Sequence, residues 1–326
     1  MSTGWSRRGE ELLCAAIVLV VTFCAFSASA QEGEFDSQLF KPALGPHAVF
    51  TTATSDTLPH LKPGGELVID YLSEPVVVDD GFAAGSIVDQ QLAADVLAGI
   101  GITDRGQFGV HLPIYFMNDG GFGLREFDTF AVGDLTFKPK FQFLTHDNSK
   151  VGIGMLVDVS VPTGDGEAFV GAPSVVGRPK LLVDGVFGPV TLATNLGFEF
   201  QQDAGVEGLE SGHQFLYKFG MEVEVVDDLI GVGGELYGKS PLGDFFGSEE
   251  ESPLEGILGA KVKTGVGVNV FAGAGGGFVP GIGAPEFRGF VGVSYPGKQK
   301  KDSDGDGVED SAEECPQEAE GFDGCE

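Results

Sequence analysis

Tryptophan is almost missing from this 326-residue chain: the single copy is Trp5, and only five tyrosines accompany it. The Trp/Tyr girdles that commonly mark membrane interfaces are therefore thin, and any such role falls to the 27 phenylalanines. Basic residues are scarce as well, 19 Lys and Arg against 49 Asp and Glu, and the formal charge of −30 argues against a nucleic-acid partner. Two of the four cysteines, Cys14 and Cys24, lie in an N-terminal apolar run, which leaves Cys315 and Cys325, both close to the C-terminus. No thiol remains elsewhere for nucleophilic work. After residue 30 no apolar run is long enough for a spanning helix, which excludes helical but not strand crossing. The five histidines, His47, His60, His111, His146 and His213, are scattered without H-E-x-x-H spacing, and no serine occupies a G-x-S-x-G elbow. Metal-dependent catalysis is not expected, and the chain reads as no enzyme. An outer-membrane hydrolase, whose catalytic residues meet only in the folded barrel, is the lesser alternative.

What the chain does contain begins with an export signal over residues 1–30. Arg7 and Arg8 precede an apolar core from Leu12 to Phe26, and Ala28-Ser29-Ala30 offers small residues for cleavage before Gln31. The same run is short for a membrane anchor. Export places Cys315 and Cys325 where a disulfide persists, and one bridge between them is expected.

From Glu66 onward the pattern is two-residue alternation. In the stretch P-V-T-L-A-T-N-L-G-F-E-F-Q-Q, Val190, Leu192, Leu196, Phe198 and Phe200 share one face. Thr191, Ala193, Asn195, Gly197, Glu199 and Gln201 share the other. Twelve such strands are predicted, over 66–74, 87–102, 106–116, 130–144, 150–161, 175–186, 190–201, 214–226, 229–238, 254–264, 266–278 and 287–295. Their charges stay on the small, polar face, as with Lys138, Lys140, Asp158, Lys218, Glu222 and Glu224. Tight turns alternate with longer connections, and an outer-membrane barrel has this asymmetry, with its short turns in the periplasm. The expected fold is all-β, a transmembrane antiparallel barrel of about twelve strands over 66–296, embedded in outer-membrane lipid. A soluble β-sandwich or ligand-binding barrel shows the same alternation with the apolar face turned inward. In the membrane version Leu196→Arg is costly, while Asn195→Arg is tolerated where the lumen holds water. Residues 31–65 form an N-terminal extension, a periplasmic segment or a plug, with a strand expected over 47–54.

Beyond residue 296 the composition changes to an acidic tail over 297–326. Asp302, Asp304, Asp306, the carbonyl of Val308, Asp310 and Glu313 stand at positions 1, 3, 5, 7, 9 and 12 of a calcium loop, with Gly307 at the turn position. D-x-D-x-D-G-V-E-D, then E-E-C-P and G-F-D-G-C, resembles a thrombospondin type 3 calcium repeat of the kind that links a barrel to a peptidoglycan-binding domain in OmpA-like proteins. The barrel resembles the same proteins more loosely, through V-G-D-L-T-F-K-P-K, V-P-T-G-D-G and G-A-P-E-F-R. The sequence ends at Glu326 with no wall-binding domain in it, so the resemblance does not imply wall anchoring.

Together these features lead to an outer-membrane barrel with a calcium-binding periplasmic tail, serving envelope structure or adhesion through an envelope or cell-wall partner. The competing expectation is a diffusion channel or transporter for small or hydrophobic solutes. The inward charges could line a pore or pair across strands and close it. For the tail, calorimetry on a peptide spanning residues 298–326 should show one calcium site in the roughly 10⁻⁴–10⁻³ M range of extracellular modules. Unchanged binding after Asp304→Ala would reduce the tail to a solvated acidic segment.

Overall fold

A computed structural model describes residues 38–79, 84–119, 130–146, 149–166, 170–202, 204–206, 209–247, 251–264 and 267–297. The expected export signal over residues 1–30, the expected calcium ligands within Asp302–Glu313 and the expected Cys315–Cys325 pair lie outside the described residues. Fifteen strands form among the described residues: β1 (Pro63–Asp79), β2 (Ala84–Thr103), β3 (Gly106–Asp119), β4 (Ala131–Val132), β5 (Leu135–Leu144), β6 (Val151–Val161), β7 (Val176–Phe187), β8 (Val190–Glu199), β9 (Ala204–Val206), β10 (Leu209–Ser211), β11 (Gln214–Val226), β12 (Ile230–Pro241), β13 (Leu254–Lys263), β14 (Asn269–Val279) and β15 (Phe287–Tyr295).

Apart from the small β9–β10 hairpin, these strands make one antiparallel sheet in which each stave pairs with the next in the chain. The sheet closes where β1 meets β15, from Gly65 opposite Tyr295 to Ser73 opposite Phe287. Because β4 and β5 both pair with β3 and form a single interrupted stave, the barrel has twelve staves, as the alternation predicts. Full closure leaves no free edge, so every backbone polar group of a central stave finds its partner within the wall.

Alternation becomes two surfaces. Along β6 the odd-numbered residues from Val151 to Val161 face outward and Gly152, Gly154, Leu156, Asp158 and Ser160 are buried. On β8 Leu196 is 44% exposed and its neighbour Asn195 only 3%. Leu67, Ile69, Val96, Leu181, Phe198, Phe219, Met221, Val232, Leu258 and Val291 extend the same outward apolar belt around the wall. A belt of this extent has no place on a soluble monomer, and its polar, charged interior inverts the soluble-barrel alternative.

One end of the barrel carries the short turns, between β2 and β3, β5 and β6, β7 and β8, β11 and β12, and β13 and β14. The other carries the longer connections. The β1–β2 connection differs from expectation: instead of a long loop over 75–86, the two strands run on for 17 and 20 residues and leave only residues 80–83 between them. Val76, Val77 and Val78 supply a β-branched run that continues the pairing, with register shifts at Val76. These strands exceed the roughly 9–11 residues that cross a bilayer and project as a hairpin beyond the rim.

At the long-connection end, Gly133-Asp134 breaks the β4–β5 stave for a reason. The Asp134 carboxylate accepts the backbone N–H groups of Thr163 at 3.0 Å, Gly164 at 2.9 Å and Ala172 at 2.9 Å, pinning the connection that follows β6. A Cβ on Gly164 would come within 2.8 Å of the Gly133 carbonyl carbon, so these glycines permit the contact.

Residues 38–62 depart from the expected strand over 47–54. Residues 38–58 lie inside the barrel without joining the sheet, whereas exposed His60, Leu61 and Lys62 run beside β2, where Leu61 N–H donates to the Gly101 carbonyl at 2.8 Å and Gly101 N–H to the Lys62 carbonyl at 3.1 Å. Phe40, Val49, Phe50, Thr51, Thr52, Ala53, Thr54, Ser55 and Leu58 are all buried against inward wall residues. Asn195 therefore faces protein rather than water, and the tolerance expected of Asn195→Arg is withdrawn. Leu196→Arg is expected to cost roughly 2–4 kcal/mol at the lipid face, and Asn195→Arg to be damaging through its clash with Ala53. Heat-modifiable gel mobility after refolding should show a lower folded fraction for both, and wild-type folding of Asn195→Arg would contradict a filled lumen.

Candidate functional site

The lumen is the site, and it is built from two parts: the inward side chains of the wall and the inserted segment they hold. Gly45 at φ 141° and His47 at φ 56° turn the segment back on itself, and Ala43 N–H bonds to the Phe50 carbonyl at 3.0 Å across that turn. Phe50 then packs edge-on to Phe290 with centroids 5.2 Å apart, and Phe40 lies 5.4 Å from the same ring. Together with Val49, Val68, Tyr237, Ile257 and Phe271 these rings form the main apolar core of the molecule, which sits inside the barrel.

Polar attachment of residues 38–56 is through wall side chains, and nearer β1 Thr57, His60, Leu61 and Lys62 bond to wall backbone groups. Glu235 on β12 accepts the backbone N–H groups of Phe50 at 2.8 Å, Thr51 at 2.9 Å and Thr52 at 2.8 Å, and the Thr51 hydroxyl at 2.8 Å. Three successive N–H groups on one carboxylate make an anion nest in reverse, with the charge on the wall. Asn195 on β8 pairs with both backbone groups of Ala53, at 2.9 and 2.7 Å. Asp184 on β7 accepts Ser55 N–H at 2.6 Å, and Gln107 on β3 accepts Leu58 N–H at 2.9 Å. Lysines take the carbonyls: Lys261 donates to Ala48 at 2.7 Å and Lys218 to Thr51 at 3.2 Å.

Many of the remaining inward charges pair. Arg288, wholly buried, contacts Asp70 and Glu255 at 2.5 Å each, and its guanidinium lies 4.8 Å from the Phe40 ring centre. Asp158 serves Lys180 at 2.5 Å and Lys138 at 3.5 Å, Glu222 serves Lys261 at 2.6 Å, Lys263 pairs with Glu224, and Arg178 with Glu199. Of the two expectations, Lys138, Asp158, Glu222 and Glu224 realise pairing across strands, whereas Lys140 and Lys218 donate to carbonyls of the inserted segment instead. Asp95 meets His111 at 2.6 Å in the same manner.

Two cavities border the segment. One of about 50 Å³ lies among Lys41, Arg178, Lys180, Lys218 and Lys239 and has room for a few waters. A second, of about 490 Å³, opens at the short-turn end beside His47, Asp56, His146, Glu222, Glu224 and Lys263, and falls within the size range of small-ligand sites. Here two of the histidines that look scattered in sequence, His47 and His146, converge. His146 stands between Asp56 and Asp184, and His47 lies 2.8 Å from Asp56. Contacts with Asp184 and Asp56 raise the His146 imidazole to about 10. Burial pushes Asp56 upward, but hydrogen bonds with His146 and His47 outweigh it and hold the carboxyl well below its usual range. Sequence spacing gives no signal for this group, since its members come from three separate stretches.

The family model described as "Putative MetA-pathway of phenol degradation" matches residues 77–283. An outer membrane channel from Pseudomonas putida F1 has the same fold, with a TM-score of 0.55 at 12% identity over 74% of this chain and 97% of that one. The toluene transporter TodX of Pseudomonas putida is less alike, with a TM-score of 0.42 at 9% identity over 82% of this chain and 100% of that one. No curated protein matches in sequence. The matches support an outer-membrane β-barrel; they do not bear on the calcium repeat or the OmpA-like resemblance.

Removing the central acceptor of the inserted segment should loosen it. Glu235→Ala orphans three buried N–H groups at about 1–3 kcal/mol each, lessened where water enters the vacated space. Hydrogen exchange at residues 50–52 should accelerate by at least tenfold in the refolded variant while the wall strands keep their protection. Unchanged exchange there would show that Glu235 is not what holds the segment.

Proposed function

Because this chain belongs to the family described as "Putative MetA-pathway of phenol degradation", we propose that it is an outer-membrane channel or transporter for small or hydrophobic solutes, closed at rest by residues 38–62. The observation that carries the reading is how residues 38–56 are fastened: they can leave without breaking a hydrogen bond between staves, because their polar contacts run to wall side chains, among them Glu235, Asn195, Asp184, Gln107, Lys218 and Lys261. A barrel serving only as an anchor needs no separable core. The family description names phenol degradation and the similar structure is named as a channel, and both support a small-solute cargo. In this reading the short-turn end faces the periplasm, the apolar belt contacts outer-membrane lipid, and the acidic tail binds calcium below the barrel.

Planar-bilayer recordings test it. Wild-type protein should conduct rarely, Glu235→Ala should conduct more often, and a variant lacking residues 38–57 that still folds to a heat-modifiable barrel should give a stable ohmic current. A folded deletion variant, or a folded Glu235→Ala, that conducts no more than a protein-free bilayer would remove the channel.

A further inference from the structure

Four ionisable side chains meet at the short-turn end of the lumen, and they come from both the inserted segment and the wall. His47 and Asp56 belong to the segment, His146 to the turn between β5 and β6, and Asp184 to the inward face of β7. His146 Nδ1 is 3.1 Å from Asp56 Oδ1, and His146 Nε2 is 2.9 Å from Asp184 Oδ2. The second contact is close but off the line of a hydrogen bond: both His146 Nε2 and Asp184 Oδ2 are buried and without a hydrogen-bond partner. Asp184 is 1% exposed, while its other oxygen is occupied by Ser55 N–H. A buried carboxylate oxygen left in this way is aimed at the space between the three residues.

One ligand atom from each of Asp56, His146 and Asp184 lies within 4.8 Å of the others. Ligands at about 2.0–2.2 Å around a tetrahedral ion stand about 3.3–3.6 Å apart, so closing the cluster needs only side-chain rotation. Imidazole with carboxylates suits zinc among the first-row ions better than it suits calcium. We infer that Asp56, His146 and Asp184 bind a divalent transition-metal ion of the zinc type, which clamps the inserted segment to the wall. His47, on the far oxygen of Asp56, orients that ligand from outside, as outer partners of metal ligands do. The fourth position faces the 490 Å³ cavity and takes water. On binding, the ion takes the place of the proton on the ligating His146 nitrogen, which is released to solvent.

This inference does not depend on the channel reading, and its test uses no conductance. Refolded full-length protein, wild type and His146→Gln, would be titrated with zinc by calorimetry and with cobalt(II) by visible absorption. Any binding to the acidic tail is common to both and cancels. Wild type should take up one more equivalent than His146→Gln, with a cobalt band absent from the variant. If His146→Gln does not fold, His47→Gln serves instead and should weaken the same site about tenfold. Equal stoichiometry and affinity in wild type and a folded variant would overturn the site.

Discussion

The constraint on which this molecule depends is that nothing polar may be left unpaired where water is absent, and it applies on both sides of one wall. Outside, hydrocarbon forces the backbone into a closed antiparallel ladder and forces charges off the outer face. Inside, a twelve-stave barrel has a lumen too wide for its own side chains to fill, yet narrow enough that a charge there is poorly hydrated. Residues 38–62 answer the second problem. Their backbone offers donors and acceptors along the lumen, and Glu235, Asn195, Asp184 and Gln107 use them.

The result is a division of labour between two kinds of hydrogen bond. Stave-to-stave bonds are many, regular and cooperative, and breaking a few of them opens an edge. Bonds from the wall to residues 38–56 come from separate side chains and can be replaced by water one at a time. The aromatic packing of Phe40 and Phe50 on Phe290 and Phe271 adds apolar burial to the segment side of this balance. The core of the protein is thus carried partly by a piece that is not part of the sheet, whereas a soluble barrel would build its core from the sheet alone.

How much of this was legible beforehand follows from how local each signal is. All twelve staves were readable, because alternation at Leu196 against Asn195 or Phe137 against Lys138 is a property of adjacent residues and lipid enforces it. The continuation of β1 and β2 past the rim was not, since the pairing of Val76–Val78 with 85–88 has no hydrophobic periodicity to announce it. The run 47–54 looked like a strand because of its β-branched and aromatic residues. What decided otherwise was a set of partners 129 to 185 residues away, among them Asp184 and Glu235, which no window of sequence contains. Likewise Asp56, His146 and Asp184 become neighbours only when the turn after β5 and the end of β7 are brought to the same rim.

That convergence also bears on where the segment would give way. Toward the long-connection end it is held by Arg288 and Gln91 through Gln38, and at mid-lumen by the apolar rings and Glu235. At the short-turn end it is held by polar contacts with the wall: Asp56 on His146, and Ser55 on Asp184. Apolar burial is indifferent to ions, whereas contacts between charged groups beside a 490 Å³ cavity respond to whatever ion enters it. The ends of the segment are therefore unequal. Beyond His60 the chain passes directly into β1 and cannot move far, so any opening must draw the length between Gln38 and Asp56 toward one rim, and the charged contacts at Asp56 are those that such a movement must break first or keep until last.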